Sequence, residues 1–203
     1  MGTLIDFFNA GEDKTAGILK GRVPPCHGIL PETGPVVIKT YRRGGIVSLI
    51  NKNRYLKTGT SRPEKEFEFL IHAGKAGLNV PTPLIFATQG FLFYRAWLVT
   101  KKIENQISYT DLVLKNEKAA LSLLASISLN ISLLIENRIH HVDLHPGNIL
   151  IDKTRNIYII DFDKAYYSSK PKHWLIRQYE KRWARAVDKY RLPHALKQLE
   201  LCV

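Results

Sequence analysis

Cysteine is scarce in this chain. Cys26 and Cys202 are the only two, too few for a disulfide framework and without the paired spacing of a zinc site, so a reducing compartment is expected. Acids are also in short supply: 18 Asp and Glu stand against 30 Lys and Arg, a formal net charge of +12. Such an excess implies an anionic partner, whether nucleotide, nucleic acid, phosphorylated glycan or acidic lipid surface. Long apolar runs are missing too. A long uncharged stretch, 119–135, is interrupted by Ser122, Ser126, Ser128, Asn130 and Ser132. A bilayer asks for about 20 mostly apolar residues, so this stretch reads as a buried helix. The opening MGTLIDFFNAGEDK has no basic n-region, too short an apolar run for a signal peptide, and Asp6 where a myristoylation pattern wants Ser or Thr. There is no internal repeat and no low-complexity linker. What is present is ordinary globular composition: 203 residues, 45% hydrophobic and 24% charged, enough for one compact unit or two small lobes.

The β-branched VVIKTY at 36–41 predicts a strand, broken by RRGG. Residues 40–57 hold Arg42, Arg43, Lys52, Arg54 and Lys57 and no acid, which predicts a local basic surface. Arg42 and Arg43 suit an acceptor clamp and suit mere solvated charge equally. Ser61 followed by Glu64 is a capping-box pattern, and Pro63 fits a first turn, so a helix starts there. Phe67, Leu70 and Ile71 mark its apolar face, and Gly74 and Gly77 its end. LIFAT and FLFYRAWLV around Gln89-Gly90 predict a hairpin. A short helix at 109–114 and a long one at 117–139 follow. NILI and IYII, flanking a turn at 152–156, predict a second hairpin. The last 40 residues carry ten Lys or Arg against Glu180, Asp188 and Glu200, with Trp174, Ile176, Trp183 and Val187 at roughly helical spacing, so one or two amphipathic helices are expected.

Chemistry concentrates in HHVDLHPGNILIDKTRNIYIIDFDKA, 140–165. Phosphoryl transfer needs a carboxylate to orient the attacking hydroxyl, oxygen ligands for Mg²⁺ and a cation on the nucleotide phosphates. Asp143 and Asn148 are five residues apart across a Pro-Gly loop, and the hairpin should return Asp161 to the same end. That supplies a base, Asp143, and two metal ligands, Asn148 and Asp161. The competing reading is turn chemistry, since Asx residues often cap turns. His140, His141 and His145 could form a metal cluster, but His141 is expected to pack and hydrogen-bond so as to fix the backbone around Asp143.

The order His141-x-Asp143-Leu144-x-x-x-Asn148, then Asp161-Phe162-Asp163, resembles the protein-kinase pattern H-R-D-L-x-x-x-N followed by D-F-G. VVIK is similar to the kinase strand motif V-A-I-K. The resemblance implies that Lys39 holds the α/β-phosphates, that a helical acid pairs with it (Glu66, chosen over Glu64 and Glu68), and that ATP and Mg²⁺ are used. It implies a compact two-lobed α+β fold, with an N-terminal lobe over 1–104 and a reduced C-terminal lobe over 105–203. The chain departs from the pattern in four ways: no G-x-G-x-x-G precedes Lys39, where only Gly17 and Gly21 are offered; Asp163 replaces the last Gly of D-F-G; A-P-E is missing; and 40 residues cannot build a full kinase C-lobe.

Read together, IKTYRRGG, NRYLKTG, EFEFLIHAGKAGLNVPTP, YRAWLVTKKI and HVDLHPGNILI…IYIIDFDKA resemble the bacterial lipopolysaccharide core kinases of the InaA-like group, on the side of the 3-deoxy-D-manno-octulosonic acid (Kdo) kinases. That resemblance implies transfer of phosphate from ATP to a Kdo or heptose hydroxyl of the lipid A–core acceptor, at the cytoplasmic face of the inner membrane. An anionic membrane surface is then an expected partner and nucleic acid is not. Two other classes compete. One is a small atypical Ser/Thr protein kinase or tRNA-modification-linked ATPase; the other is a non-catalytic basic binding module. YRRGG and Asp163 favour the sugar kinase, and the intact motif residues disfavour the binding module.

Overall fold

The computed structural model describes residues 26–41, 55–56, 60–90 and 93–201. Gly17, Gly21, Arg42, Arg43, Lys52, Arg54, Lys57 and Cys202 lie outside the described residues. The chain divides into two compact units. One holds the described residues up to Glu68 together with Thr82–Lys102; the other holds Phe69–Pro81 and the residues from Ile103 onward.

In the first unit, alternation along an extended chain sends successive side chains to opposite faces. Strand β2 (Gly34–Tyr41) buries Val36 and Ile38 on one face with Trp97 and Val99, and places Lys39 and Tyr41 on the other. Strand β1 (Cys26–Leu30) pairs antiparallel with β2. Strand β5 (Phe93–Lys101) lies against β2 with Val36 opposite Lys101 and Tyr41 opposite Ala96. Strand β4 (Pro83–Gln89) takes the other side of β5, forming the expected hairpin, and the short β3 (Tyr55–Leu56) pairs with Tyr94 and Phe93. All these pairings are antiparallel.

Helix α1 (Arg62–Lys75) begins at Ser61, whose backbone N–H donates to Glu64 Oε2 at 3.1 Å, half of the expected capping box. It ends as expected at Gly77, which takes φ +87°. There the N–H of Leu78 donates to Ala73 O and that of Gly77 to Gly74 O, the paired bonds of a Schellman cap. The buried row on this helix is Pro63, Glu66, Leu70 and Ala73, whereas Phe67 and Ile71 are only half-buried. The buried face is thus rotated from the expected Phe67–Leu70–Ile71 stripe, and an acid lies in its middle.

In the second unit, β6 (Ile107–Ser108), β8 (Ile149–Ile151) and β9 (Ile157–Ile159) form an antiparallel sheet, and β7 (Ile139–His140) pairs with β10 (Tyr166–Tyr167). Helix α2 (Tyr109–Lys115) is where the sequence places it. The single helix expected over 117–139 is instead two, α3 (Glu117–Leu121) and α4 (Leu124–Glu136), and it stops early. Ser122 Oγ donates to Ala119 O, and the Leu123 N–H reaches back only to Ala120 O, so the ladder tightens and turns. At the far end Arg138 takes φ +57° and the next two residues join β7. The 117–136 stretch has the length and apolarity of a membrane span, with 44% of that window buried inside the protein.

Helix α5 (Lys172–Lys189) buries Leu175, Tyr179, Trp183, Ala186 and Val187 along one side, confirming an amphipathic helix in the tail. Trp183 lies 6.0 Å from the Tyr109 ring and its indole N–H donates to Leu196 O at 2.7 Å. Tyr109 donates to Ala120 O, and Ile127, Ile131, Leu134 and Ile135 of α4 complete this core. Ser128 accepts the N–H of Glu200 at 3.1 Å and ties that residue to α4. Mixed helices and antiparallel sheets agree with the α+β class expected from the sequence.

Candidate active site

Because β2 turns Lys39 and Tyr41 to the same face, both can reach one partner, and that partner is Glu66. Lys39 Nζ lies 2.9 and 2.8 Å from the two Glu66 oxygens, and Tyr41 OH donates to Oε2. Glu66 is 3% exposed and the Lys39 side chain 32%. Of the three candidate acids, Glu66 rather than Glu64 or Glu68 meets the lysine. A carboxylate this buried needs paired charge and donors; here it has both, which pins the ammonium to one position.

In the second unit the loop after β7 is built around His145 and Asn148. The His145 ring accepts the Gly147 N–H at Nδ1, 3.0 Å, opening a 3₁₀ turn over Pro146–Asn148. A Cβ on Gly147 would sit 3.0 Å from His145 Cε1, so any larger residue would push the capping ring back by a few tenths of an ångström. Asn148 Nδ2 then donates to the Asp143 carbonyl at 3.0 Å, and the Asn148 carbonyl accepts the Ile160 N–H at 3.1 Å. One residue thereby ties the base loop to the strand end that carries Asp161.

Asp161 takes φ +67°, a left-handed conformation that Asp tolerates better than most residues and that is enriched at functional positions. It is held from both flanks by His141. The His141 Nε2–H donates to the Ile160 carbonyl at 2.9 Å, and its ring meets Phe162 edge-to-face at 4.7 Å. His141 is fully buried, and loss of hydration lowers its pKa, so the ring is neutral. Its ring fixes the Asp161 segment, while its backbone carbonyl accepts the Leu144 N–H at 3.1 Å and closes the turn around Asp143. Among the described residues no group of three or more His, Cys, Asp and Glu could hold a metal ion, so the histidine-cluster reading is set aside.

The Asp143 carboxylate carries a cation on each oxygen: Lys164 Nζ on Oδ2 at 2.9 Å and Arg182 on Oδ1 at 2.7 Å. Desolvation pushes its pKa up, but the Lys164 hydrogen bond and the two cationic charges outweigh this and hold it below the ordinary carboxylate range. Neither cation was expected here. Lys164 follows Asp161 by three residues, and Arg182 is 39 residues from Asp143 on α5. Only the surplus of cations in the tail hinted at an anionic target.

The structure thus joins Lys39 with Glu66 in one unit, and Asp143 with Asn148 and the Asp161 segment in the other. An Asn and an Asp offer oxygen donors, and the Asn148 nitrogen is already spent on Asp143, which leaves its oxygen to face a cation. Such a set suits Mg²⁺ rather than a softer ion.

A family description, the lipopolysaccharide kinase (Kdo/WaaP) family, matches residues 29–187. The chain is 35% identical over 158 residues to a 3-deoxy-D-manno-octulosonic acid kinase of Vibrio vulnificus, an overlap covering 76% of this chain and 66% of that relative. It is 36% identical over 132 residues to the protein of that name from Vibrio cholerae, covering 64% and 56%, and 32% identical over 135 residues to the one from Xylella fastidiosa, covering 65% and 53%. The chain therefore spans about half to two thirds of the length of these relatives. The matched region runs from β1 through nearly all of α5 and takes in each of the residues assembled above, and on that ground the chain belongs to the lipopolysaccharide kinase (Kdo/WaaP) family.

Proposed function

We propose that this protein is an ATP-dependent phosphotransferase that phosphorylates a sugar hydroxyl of the lipopolysaccharide inner core, with Kdo rather than heptose as acceptor. The observation that carries the reading is the double tie made by Asn148, to the Asp143 carbonyl and to the Ile160 N–H. It couples a base candidate to a metal-ligand candidate, as phosphoryl transfer demands. Family membership supports the reaction class, and the name shared by the three relatives supports a sugar acid.

Lys39, steered by Glu66, neutralises the α/β-phosphates. Asn148 and Asp161 would hold Mg²⁺, which when bound offsets the charge of the phosphates. Asp143 orients the acceptor hydroxyl. That oxygen forms a bond to the γ-phosphorus as the bond to the ADP oxygen breaks, and its proton passes to the Asp143 carboxylate. A carboxyl held below its usual range is a poor base, so Asp143 contributes mainly by orientation and takes the proton late. Work on such an acceptor places the protein at the cytoplasmic face of the inner membrane as a peripheral enzyme, where its cations meet anionic lipid.

The test is incubation of the purified chain with ATP, Mg²⁺ and either Kdo-lipid A or a heptose-terminated core, with mass analysis of the product. We expect the Kdo acceptor to gain one phosphoryl group, and Asp143→Asn to lower the rate by about 10² to 10⁴-fold with the fold intact. Failure of transfer to either glycolipid, or transfer to a protein substrate in its place, would overturn the reading.

A further inference from the structure

Around Asp143 the charges do not balance. One carboxylate meets two cations, and among the described residues neither Lys164 nor Arg182 makes another ion pair. Arg182 uses a single nitrogen on Oδ1, although a guanidinium offers a planar fork able to grip a second carboxylate. Its side chain is 37% exposed, so an incoming group can reach it. Three and seven residues on, Arg185 and Lys189 lie on the same helix face. Both are exposed and without an acid partner among the described residues; of the two acids of α5, Glu180 makes no ion pair with this row among the described residues and Asp188 is engaged by Lys197. The far end of this row returns to the base loop: Lys189 Nζ lies 5.5 Å from the centre of the Tyr190 ring, which lies 5.7 Å from His145. The row Arg182–Arg185–Lys189 therefore runs alongside residues 143–148 and is short of negative charge.

We propose that this row is the acceptor's anion site, and that Arg182 is the acceptor-positioning residue, gripping the carboxylate of a sugar acid while it stays beside Asp143. This rests on the sugar-kinase reading and adds to it the feature of the acceptor that is recognised. With the acceptor absent, Arg182 caps Oδ1. With it bound, the acceptor carboxylate takes the remaining guanidinium donors and weakens the hold of Arg182 on Oδ1 without breaking it, so that Oδ1 also accepts from the acceptor hydroxyl. Recognition of the acid and readiness of the base are then one event. A guanidinium fork matches a carboxylate and a phosphoryl group alike; the sugar-acid acceptor of the sugar-kinase reading selects the carboxylate, and the KM for ATP tests the phosphoryl group.

The test compares two acceptors, Kdo-lipid A and its carboxyl methyl ester, in steady-state kinetics of the full chain, with R182Q, R182K and the double variant R185Q/K189Q; thermal unfolding checks that each folds. The wild type should prefer the acid by about 30-fold in kcat/KM. R182Q should raise KM for the acid about tenfold, leave KM for ATP within about twofold, and erase most of the preference. R182K should restore part of it, and the double variant should weaken it in the same direction. An equal loss on both acceptors would mean that Arg182 merely orders Asp143, and a raised KM for ATP that it serves the γ-phosphate; either overturns the proposal. Should R182Q fail to fold, an undiminished preference in the double variant does the same. A wild type that phosphorylates both acceptors equally sinks this inference alone, whereas one that phosphorylates neither sinks the sugar-kinase reading with it.

Discussion

Asp143, His141 and Asp152 show how differently three polar residues within one short stretch are used. Asp143 is pulled below its usual range by cations brought from elsewhere in the chain, and His141 is kept neutral by burial. Asp152 owes its state to its own turn. It accepts from the N–H groups of Thr154 and Asn156, each at 2.9 Å, and from their side chains. Dehydration within the turn pushes its carboxyl up, and the donations from Thr154 and Asn156 outweigh this and bring it to about 2. The folded state therefore binds the proton more weakly than the unfolded chain does. The support Asp152 gives the β8–β9 turn should be complete above about pH 4 and fade as pH falls toward about 2. A carbon-detected NMR titration should find the Asp152 carboxyl titrating at about 2, well below the ordinary carboxylate range, and Asp152→Ala should loosen the turn at neutral pH. Titration near the ordinary value would contradict the turn geometry. This role was legible in advance, because an Asx turn depends on neighbours two to four residues away.

At the scale of elements, α1 and α5 each carry a polar group into a buried row, and each group fixes a functional segment. On α1 it is Glu66, whose place between Pro63 and Leu70 follows helical spacing, while its partner follows the two-residue period of β2. On α5 it is Tyr179. Its hydroxyl accepts the His141 N–H and donates to the Ile139 carbonyl, both at 2.8 Å, and burial raises its pKa so that the proton stays on. Tyr179→Phe leaves two backbone groups without partners in a dry site, which should cost about 1–3 kcal/mol. Chemical denaturation measures this, and a change below about 0.5 kcal/mol would mean that water replaces the hydroxyl. The break between α3 and α4 was not legible. Seventeen uncharged residues carry a strong helical pattern, and the turn at Ser122–Leu123 comes from one side-chain bond and from the demand that the chain reach β7 in time to pair with Tyr166 and Tyr167.

For the whole molecule the net charge of +12 is the dominant long-range property. If it serves the proposed membrane site, the protein should sediment with vesicles containing about 30% anionic lipid and not with neutral vesicles. Half a molar NaCl, where the Debye length is about 4 Å, should release it. Binding that persists in high salt would point instead to apolar insertion, for which the exposed Leu129 and Leu133 of α4 are the candidates. By itself the sequence determined strand β2, the hairpins β4–β5 and β8–β9, the helix start at Ser61 and the motif spacing from Asp143 to Asp161, because each rests on short periods or on a motif that carries its own geometry; the pairing of Lys39 with Glu66 came from the kinase resemblance. Only the tertiary structure decided that α1 turns an acid into its buried row, that His141 serves Asp161, and that Lys164 and Arg182 occupy both oxygens of Asp143. Those pairings form where burial brings distant segments together, and no local period records which of thirty cations will arrive.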